Sequence, residues 1–470
     1  DMGEVCIEKV RPMEDRVSIG MCLYFGLLYN SGGNCQSYYG KANFEETAAM
    51  AGVTGQDIVR CKANLMDMKI SVISSHKISV RAVVLVTVSA EEIYDREVIK
   101  KIEMDNVRDE RLEVRMMKLI ANRKDTFRIR ESVNINQGMS NIGEIIWQEL
   151  RVKDLCFTPA DGRIDVKGNL SFFVIYQGEN GGELNYYDNV VPFSGSLDIS
   201  NGRQEDVYDI NIVSCEKSLI SRNDGNGETR IFDGEIIMSL DICGYRNEDV
   251  SLLTDIYAPG YEITPKTEKL EYERLVENKV VDIDINERIK NEDGGKIIYT
   301  CGDVIVDEII QKDNKVDIEG TISVQIMMEN KDAMPPITVS HHDIPFSYQA
   351  GMDKYEKDSE LCGKVNNISL YSKRISDKEI SVNGTIKMEI MAKSTTTTPV
   401  VINADVEKVP KEKLKNIPGI TGYIVKEGDT LWNIAKRFYT TADSIMEANN
   451  LENDMIYPGM KLIILKLYCF

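Results

Sequence analysis

The chain has 470 residues, of which 42% are hydrophobic and 28% charged, and these values are typical of globular proteins. Its formal net charge of −20 argues against a nucleic-acid binder, because neutralising phosphates requires a basic face. No run of about 18 apolar residues occurs, so the sequence predicts no membrane-spanning helix. The length predicts about three or four domains.

Six segments share an alternation of apolar and polar residues, which predicts half-buried antiparallel strands. They begin, in chain order, at Arg16, Lys77, Arg163, Thr229, Lys315 and Glu379. Four of them carry glycine at the same place, at Gly168, Gly234, Gly320 and Gly384. Because none of these glycines opens a helix in a phosphate-binding pattern, we predict a bulge or bend where a side chain does not fit.

The six segments form three pairs, which indicates three copies of one unit. Each long first segment runs through a turn to a phenylalanine, at Phe44, Phe193 and Phe346. Successive long segments start 147 and 152 residues apart, the length of a whole domain. We therefore predict a mainly β protein with three tandem all-β sandwich-like repeat domains, at residues 1–120, 121–270 and 271–408.

The segments that open the repeats differ. The second repeat has "FRIRESVNI" from Phe127 and then "SNIGEIIWQEL", which predicts a helix capped by Ser140 with three isoleucines on one face and Trp147 in the core. Only 15 residues precede Arg16, against about 36 between the "FRIRESVNI" segment and Arg163. We expect the first repeat to lack its opening strand and helix, and the sequence to be a fragment.

The sequence offers no catalytic or metal-binding constellation. Its ten cysteines include no C-x-x-C pair, which favours buried thiols of a reducing compartment over a zinc knuckle or a disulfide framework. None of the three histidines lies in a nucleophile elbow or a Cys-flanking signature. Carboxylates are plentiful, but aromatic residues at 7% argue against a sugar-cleaving cleft. We predict no enzyme, no cofactor and no metal.

A Lys/Pro-rich linker at residues 409–421 precedes a small α+β (βααβ) module at residues 422–466. Its first strand is predicted at Tyr423 to Val425, Gly428 turns the chain, and Asp429 or Thr430 caps the first helix. A second helix is predicted from Thr441 to Asn449, and "YPG" leads into the closing strand.

Trp432 and Tyr439 lie off the apolar stripe of the first helix, whereas Leu431 belongs to it. The two aromatic side chains either make a partner-binding patch or cap the edge of a small core. Both interpretations stay open on the sequence alone.

The terminal module resembles a LysM domain, because "GDTLW", "ANNL" and "IYPG" follow in order. The resemblance implies a groove that binds peptidoglycan or a chitin-like glycan containing N-acetylglucosamine. Its walls would be Gly428, Asp429, Thr430 and Leu431, with Trp432 beside them, and Asn453, Asp454, Met455 and Ile456. Asp429 and Thr430 are also needed as helix caps, and Leu431 as core, whatever the module binds.

The tandem repeats followed by this module resemble the SPOCS-domain spore coat morphogenetic proteins of endospore formers. That resemblance implies a non-enzymatic scaffold in the mother-cell cytoplasm at the forespore surface. It also implies that the LysM domain docks on stage IV sporulation protein A, the ATPase of the coat basement. The alternative is a wall protein that holds peptidoglycan through LysM, which would require an export signal.

Overall fold

The computed structural model describes residues 2–466 except 33, 75, 101, 292–293, 331–335, 355, 357–358, 411, 414–415 and 417. The chain divides into two compact units. The first comprises Asp1–Tyr94, Lys118–Arg246 and Leu275–Ser394, and the second Asp95–Met117, Asn247–Arg274 and Thr395–Phe470. The repeat boundaries at 120, 270 and 408 stay a prediction, because these units group the three repeats together.

The first repeat is a three-stranded meander followed by a hairpin. The meander has the order β1-β2-β3 and the hairpin is β4-β5, all antiparallel. The strands are β1 (Met2–Met13), β2 (Arg16–Ser31), β3 (Asn34–Ala49), β4 (Ile58–Ser74) and β5 (Lys77–Glu91). Alternate residues of β2, among them Val17, Ile19 and Met21, point into a core that β1, β4 and β5 also line.

The second and third repeats have the same order of strands with one addition. The meanders are β7-β8-β9 and β13-β14-β15, and each hairpin gains a third strand, giving β10-β11-β6 and β12-β17-β16. The second repeat contains β6 (Arg108–Asn134), β7 (Ile142–Ala160), β8 (Arg163–Gly178), β9 (Leu184–Asp198), β10 (Val207–Asn223) and β11 (Thr229–Tyr257). The third contains β12 (Tyr261–Lys290), β13 (Lys296–Lys312), β14 (Lys315–Glu329), β15 (Ile337–Gly351), β16 (Glu360–Ser376) and β17 (Glu379–Lys408). The mainly β prediction is confirmed, and each of the six alternating segments is a strand.

Two of the four repeat glycines make room for the phenylalanines that follow them. Gly168 is the cross-strand partner of Phe193, and Gly320 that of Phe346. A Cβ on Gly168 would lie 2.7 Å from the ring of Phe193, and one on Gly320 equally close to Phe346. The neighbouring strand β7 bulges opposite Gly168, as the sequence predicted.

The helix predicted from Ser140 is wrong, because Ile142–Ala160 forms β7. The pairing of β7 with β8 shifts register between Ile142 and Glu144 and again between Ile145 and Trp147. Each bulge adds a residue, so the buried side chains recur at intervals of three and four, which imitates a helical period. The prediction that Trp147 lies in the core is confirmed, since it is 1% exposed.

Side chains link the three repeats inside the first unit. Tyr39 of the first repeat stacks on Trp147 of the second, with 5.5 Å between the ring centroids. Phe173 of the second repeat stacks on Tyr299 of the third, with 4.1 Å between the centroids. Ion pairs join Arg60 to Asp209, Lys217 to Glu4, and Lys393 to Glu91. A cleft of about 1090 Å³ remains between the repeats, and it is lined largely by β1 and β4, β7 and β10, and β13 and β16.

The second unit has a sheet part and the terminal module. The sheet part consists of the N-terminal ends of β6 and β12 and the C-terminal ends of β11 and β17, around Val114, Leu252, Leu270 and Val400. The module consists of β18 (Ile420–Ile424), α1 (Leu431–Arg437), α2 (Ala442–Asn449) and β19 (Lys461–Leu465). Of the predicted linker 409–421, residues 411, 414–415 and 417 lie outside the described residues.

Candidate functional site

The terminal module has its own small core, formed as the sequence predicts. Leu431, Ile434 and Ala435 of α1 pack with Ile445 of α2, and β18 pairs antiparallel with β19 beside them. Thr430 is the N-cap of α1, and its hydroxyl accepts a hydrogen bond from the backbone N–H of Asn433 at 3.1 Å. Thr441 caps α2 in the same way, because its hydroxyl accepts a hydrogen bond from the backbone N–H of Ser444 at 3.1 Å. The loop from Gly428 to Leu431, the first wall of the predicted groove, is therefore held by capping and by the burial of Leu431.

Asp429 stabilises the loop before α1 rather than the helix itself. Its carboxylate accepts hydrogen bonds from the backbone N–H of Lys426 at 2.8 Å and from the hydroxyl of Tyr423 at 2.7 Å. These two bonds lower the pKa of the Asp429 carboxyl. Gly428 precedes it with φ +84°, a left-handed conformation that glycine adopts without strain. Two hydrogen bonds thus hold the loop, and Gly428 and Thr430 are exposed on it.

The loop from Asn453 to Ile456, the second wall of the predicted groove, is followed by Tyr457 and carries an exposed apolar side chain, Met455. Asn453 accepts a hydrogen bond from the backbone N–H of Met455 at 3.0 Å, which fixes the turn. Met455 is 78% exposed and Tyr457 66% exposed. Ile456 is half-buried and packs against the same core cluster as Leu431. The structure therefore brings Leu431 and Ile456 into one core and leaves Met455 facing solvent.

Trp432 contacts the sheet part of the second unit. Its indole Nε1–H donates a hydrogen bond to Asp255 Oδ2 at 2.8 Å, and its ring packs in a T-shaped arrangement with that of Tyr257, with 4.7 Å between the ring centroids. Lys436, one turn further along α1, donates to both oxygens of Asp255 at 2.6 and 2.8 Å. The face of α1 that carries Trp432 is therefore occupied by the end of β11.

The carboxylate of Asp255 is held ionised in this contact. Burial acts to raise the pKa of Asp255, but the hydrogen bonds from Lys436 and Trp432 outweigh it and lower the pKa below its ordinary value. A second contact lies nearby, where the Tyr439 hydroxyl donates to Glu262 at 3.2 Å. Tyr439 has φ +52°, a left-handed conformation uncommon for a tyrosine. Both aromatic side chains outside the stripe of α1 thus contact acidic residues of the same unit.

The sequence did not predict Asp255, Tyr257 and Glu262, because 175 to 177 residues separate them from the module residues that they contact. The sequence does contain one signal that bears on Asp255, a similarity between two repeats. The segment "VSLLTDIY" around Asp255 resembles "PVVINADVE" around Asp405 in the next repeat. Asp405 pairs instead with Lys266 at 3.1 Å on the surface of the sheet part. Asp255 therefore departs from its repeat counterpart by contacting the module.

The described residues contain no group of three or more His, Cys, Asp or Glu side chains placed to hold a metal. The nine cysteines among them, all but Cys469, are free thiols. No helix in the described part of the chain has the length and hydropathy needed to cross a bilayer. The surfaces described above are suited to binding, through apolar side chains and backbone groups of the two loops.

Comparison with known proteins identifies two kinds of domain. The LysM domain family matches residues 423–465. The family described as SipL, SPOCS domain, matches residues 1–73 and 141–216, which lie in the first two repeats. No solved structure matches the chain.

Relatives share only a short stretch with this chain. A probable N-acetylmuramidase of Lactococcus lactis subsp. cremoris (strain MG1363) is 48% identical over 44 residues, which are 9% of this chain and 10% of that protein. A probable endopeptidase p60 of Listeria monocytogenes is 56% identical over 39 residues, 8% of each chain. A probable autolysin SsaALP of Staphylococcus aureus is 34% identical over 44 residues, 9% of this chain and 17% of that one. The chain thus spans about a tenth of the length of the first two relatives. In domain content, it combines SipL-type SPOCS repeats with a terminal LysM domain.

Proposed function

We propose that this protein is a non-enzymatic scaffold of spore coat assembly whose LysM domain docks on stage IV sporulation protein A at the forespore surface. The observation that carries the proposal is the combination of SipL-type SPOCS repeats with LysM in one chain. Both are binding kinds of domain, and neither brings a catalytic constellation with it. The mother-cell cytoplasm is the setting that the proposal requires.

The docking surface in this proposal is the groove between the loop at Gly428 to Leu431 and the loop at Asn453 to Ile456. Its most exposed apolar side chain is Met455, and flexible exposed methionines are frequent at protein-binding surfaces. Trp432 borders this surface but is in contact with Asp255. A partner that engages Trp432 would therefore have to displace an existing hydrogen bond, whereas Met455 is open to contact.

A second candidate is glycan binding by the same groove. The observation in its favour is that relatives matching this chain are named as a muramidase and an autolysin. Loop amides and carbonyls beside Leu431 and Ile456 would suit the acetamide and hydroxyl groups of a wall glycan. Few exposed aromatic side chains flank these loops, with Tyr457 the nearest in sequence.

A paired pull-down tests the two candidates. The full chain and its Met455→Asp variant are incubated separately with purified stage IV sporulation protein A and with insoluble peptidoglycan. A Met66→Asp variant is the control, because Met66 is an exposed methionine of the first repeat. We expect Met455→Asp to lose most of the protein capture, since an apolar anchor becomes a charge.

Capture of the ATPase by both variants at the level of the unmodified chain would refute docking through this groove. Retention on peptidoglycan that depends on Met455, with no ATPase capture, would favour the glycan candidate instead. Circular dichroism of each variant shows that the loss is not caused by unfolding.

A further inference from the structure

The cleft between the three repeats of the first unit has a volume of about 1090 Å³, close to the upper end of the usual range for small-molecule sites. Its walls include β4 of the first repeat, β10 of the second and β16 of the third. Two lysines from different repeats, Lys62 of β4 and Lys364 of β16, line it. Because protein walls strengthen the field of the charges between them, the surroundings of these lysines decide which ligands the cleft attracts.

Lys62 and Lys364 occupy equivalent positions in the first and third repeats. Each is the cross-strand partner of the residue ten positions after the start of the next strand, β5 or β17. The neighbours of Lys62 in β4, Cys61 and Ala63, pack against the core of the first repeat. Since successive side chains of a strand point to opposite faces, Lys62 points away from that core.

Lys364 has partners, whereas Lys62 has none among the described residues. The Nζ of Lys364 donates to the carbonyl oxygen of Ile210 and lies 3.5 Å from Oδ1 of Asp209. Asp209 also forms the ion pair with Arg60, so two cations already share its carboxylate. Lys62 is therefore left without a counter-ion of its own, and its exposed side chain is accessible from the cleft.

The positive charge of both lysines is disfavoured at this place. The surrounding protein removes water from the Lys62 ammonium and so lowers its pKa, and repulsion by Lys364 lowers it further, against a smaller effect of Asp209. Removal of water also lowers the pKa of Lys364, although Asp209 and Glu389 oppose this effect. An anion beside the two lysines would pair with Lys62 and offset the repulsion between them.

The other charges that line the cleft favour neither sign. Most of them are paired, as Arg151 is with Glu149 and Asp303. Lys153 and Glu216 form no ion pair in the described structure, and their charges are opposite. The unpaired lysine of β4 beside a second lysine is thus the feature that selects an anion.

Apolar side chains with exposed surface lie next to the lysines. Ile212 is 43% exposed and lies two residues beyond the carbonyl that accepts from Lys364. Val280 is 53% exposed and lies two residues after Asn278, whose side-chain amide donates to Glu389. Glu389 is the cross-strand partner of Lys364. Because both Ile212 and Val280 line the cleft, an anion bound there would have an apolar wall beside it.

We infer that the cleft is a binding site for an amphipathic organic anion. The carboxylate or phosphate group of this anion pairs with Lys62 beside Lys364, and its apolar part contacts Ile212 and Val280. The site uses the repeats alone, so it is independent of the LysM groove and of the proposed docking function.

Calorimetric titration of the full chain with octanoate and with octyl phosphate tests the site and distinguishes the two head groups. The control ligand is 1-octanol, which has the same alkyl chain without a charge. We expect 1-octanol to bind at least about tenfold more weakly than the better of the two anions, because it cannot form a charge-assisted hydrogen bond with Lys62.

Substitutions locate the anion. Lys62→Met removes the ammonium group and breaks no hydrogen bond or ion pair of the described residues, so the fold should be retained. We expect it to weaken the binding of the anion by about tenfold and to leave that of 1-octanol unchanged. Lys62→Arg keeps the charge and should retain most of the binding. Lys69→Met is the matched control, because Lys69 is an exposed lysine of the same strand that is not among the residues lining the cleft.

Acetylation gives a measurement that does not depend on affinity. A lysine with a lowered pKa is unprotonated more often and reacts faster with acetic anhydride. The anion that binds should slow the acetylation of Lys62, because it covers the ammonium group and favours its charged form. Acetylation of Lys69 should be unchanged, and mass spectrometry of the peptides measures both.

Three results would overturn the inference. Equal binding of 1-octanol and the anions would mean that the ligands adhere through their apolar chains alone. Equal binding of the anion by Lys62→Met and by the unmodified chain would place the anion elsewhere. Absence of binding by both octanoate and octyl phosphate would refute an anion site in the cleft.

Discussion

Trp432 and Asp255, 177 residues apart in sequence, are joined by a hydrogen bond of 2.8 Å between the indole Nε1 and Oδ2. Lys436 holds the same carboxylate, and Tyr257 packs its ring against the indole. The side chain most prominent in the LysM motif is thus used to attach the module to its own chain. Partner binding through LysM must use the remaining surface, or else compete with Asp255.

Replacing Asp255 should loosen the second unit. Asp255→Ala leaves the indole N–H and the Lys436 ammonium without their acceptor, and we expect a loss of about 1–3 kcal/mol in the free energy of unfolding. Asp405→Ala is the matched control, because Asp405 is its repeat counterpart in an exposed pair with Lys266. Asp405→Ala should lower the free energy of unfolding by less than about 1 kcal/mol. Equal losses in the two variants would contradict a specific role for Asp255.

The chain provides its own reporter for this measurement, since it contains two tryptophans. Trp147 lies in the first unit, and its indole nitrogen is buried without a hydrogen-bond partner in the described structure. A Trp147→Phe background therefore removes no hydrogen bond and leaves Trp432 as the single tryptophan, whose emission can be excited apart from that of the 21 tyrosines. Denaturant unfolding followed at this residue reports the second unit.

Acidification should weaken the same contact. The pKa of Asp255 is lowered in the folded chain from an ordinary value of 3.8, despite the burial that opposes it. A lowered pKa contributes stability that is present above the unfolded-state pKa and is lost as pH falls through the folded-state pKa. We expect the stability difference between the unmodified chain and Asp255→Asn to shrink below about pH 4 and to be constant above about pH 6. Denaturant unfolding followed by Trp432 fluorescence at each pH measures this stability difference. A constant difference down to about pH 2 would contradict this assignment.

The sequence predicts the strands and helices of this chain better than it predicts the contacts between distant elements. Alternation identifies β8 and β14, and the similar offsets of Phe193 and Phe346 from the starts of these strands reflect one cross-strand pairing with glycine. Alternation fails to identify β7, where two bulges give the buried side chains a helical spacing. In the LysM module, local signals such as the Thr430 cap suffice. The contact with Asp255 depends on tertiary packing across 177 residues, for which one sequence carries no periodic signal.

The glycine and phenylalanine pair should be sensitive to a single methyl group. A Cβ on Gly320 would lie 2.5 Å from the carbonyl oxygen of Ile305 and 2.7 Å from the ring of Phe346. We expect Gly320→Ala to destabilise the third repeat by about 1–3 kcal/mol, because the backbone carbonyl cannot move aside cheaply. Gly225→Ala is the control, since nothing lies within 4 Å of the added atom. Thermal unfolding by calorimetry compares them, and an unchanged Gly320→Ala melting profile would contradict the close approach.

Thr430 can be tested for capping separately from recognition. Thr430→Ala should lower the stability of the LysM module by about 1 kcal/mol, whereas Thr430→Ser retains the hydroxyl that accepts from Asn433. Thr441→Ala removes the equivalent cap of α2, which is not part of the predicted groove.

If Thr430 acts only as a cap, Thr430→Ala and Thr441→Ala will bind stage IV sporulation protein A or peptidoglycan equally well at a temperature where both are folded. If its hydroxyl also contacts the ligand, Thr430→Ala alone will bind more weakly, by about three- to tenfold for one lost hydrogen bond. Stability from Trp432 fluorescence and affinity from the paired pull-down, measured on the same three variants, decide between the two roles.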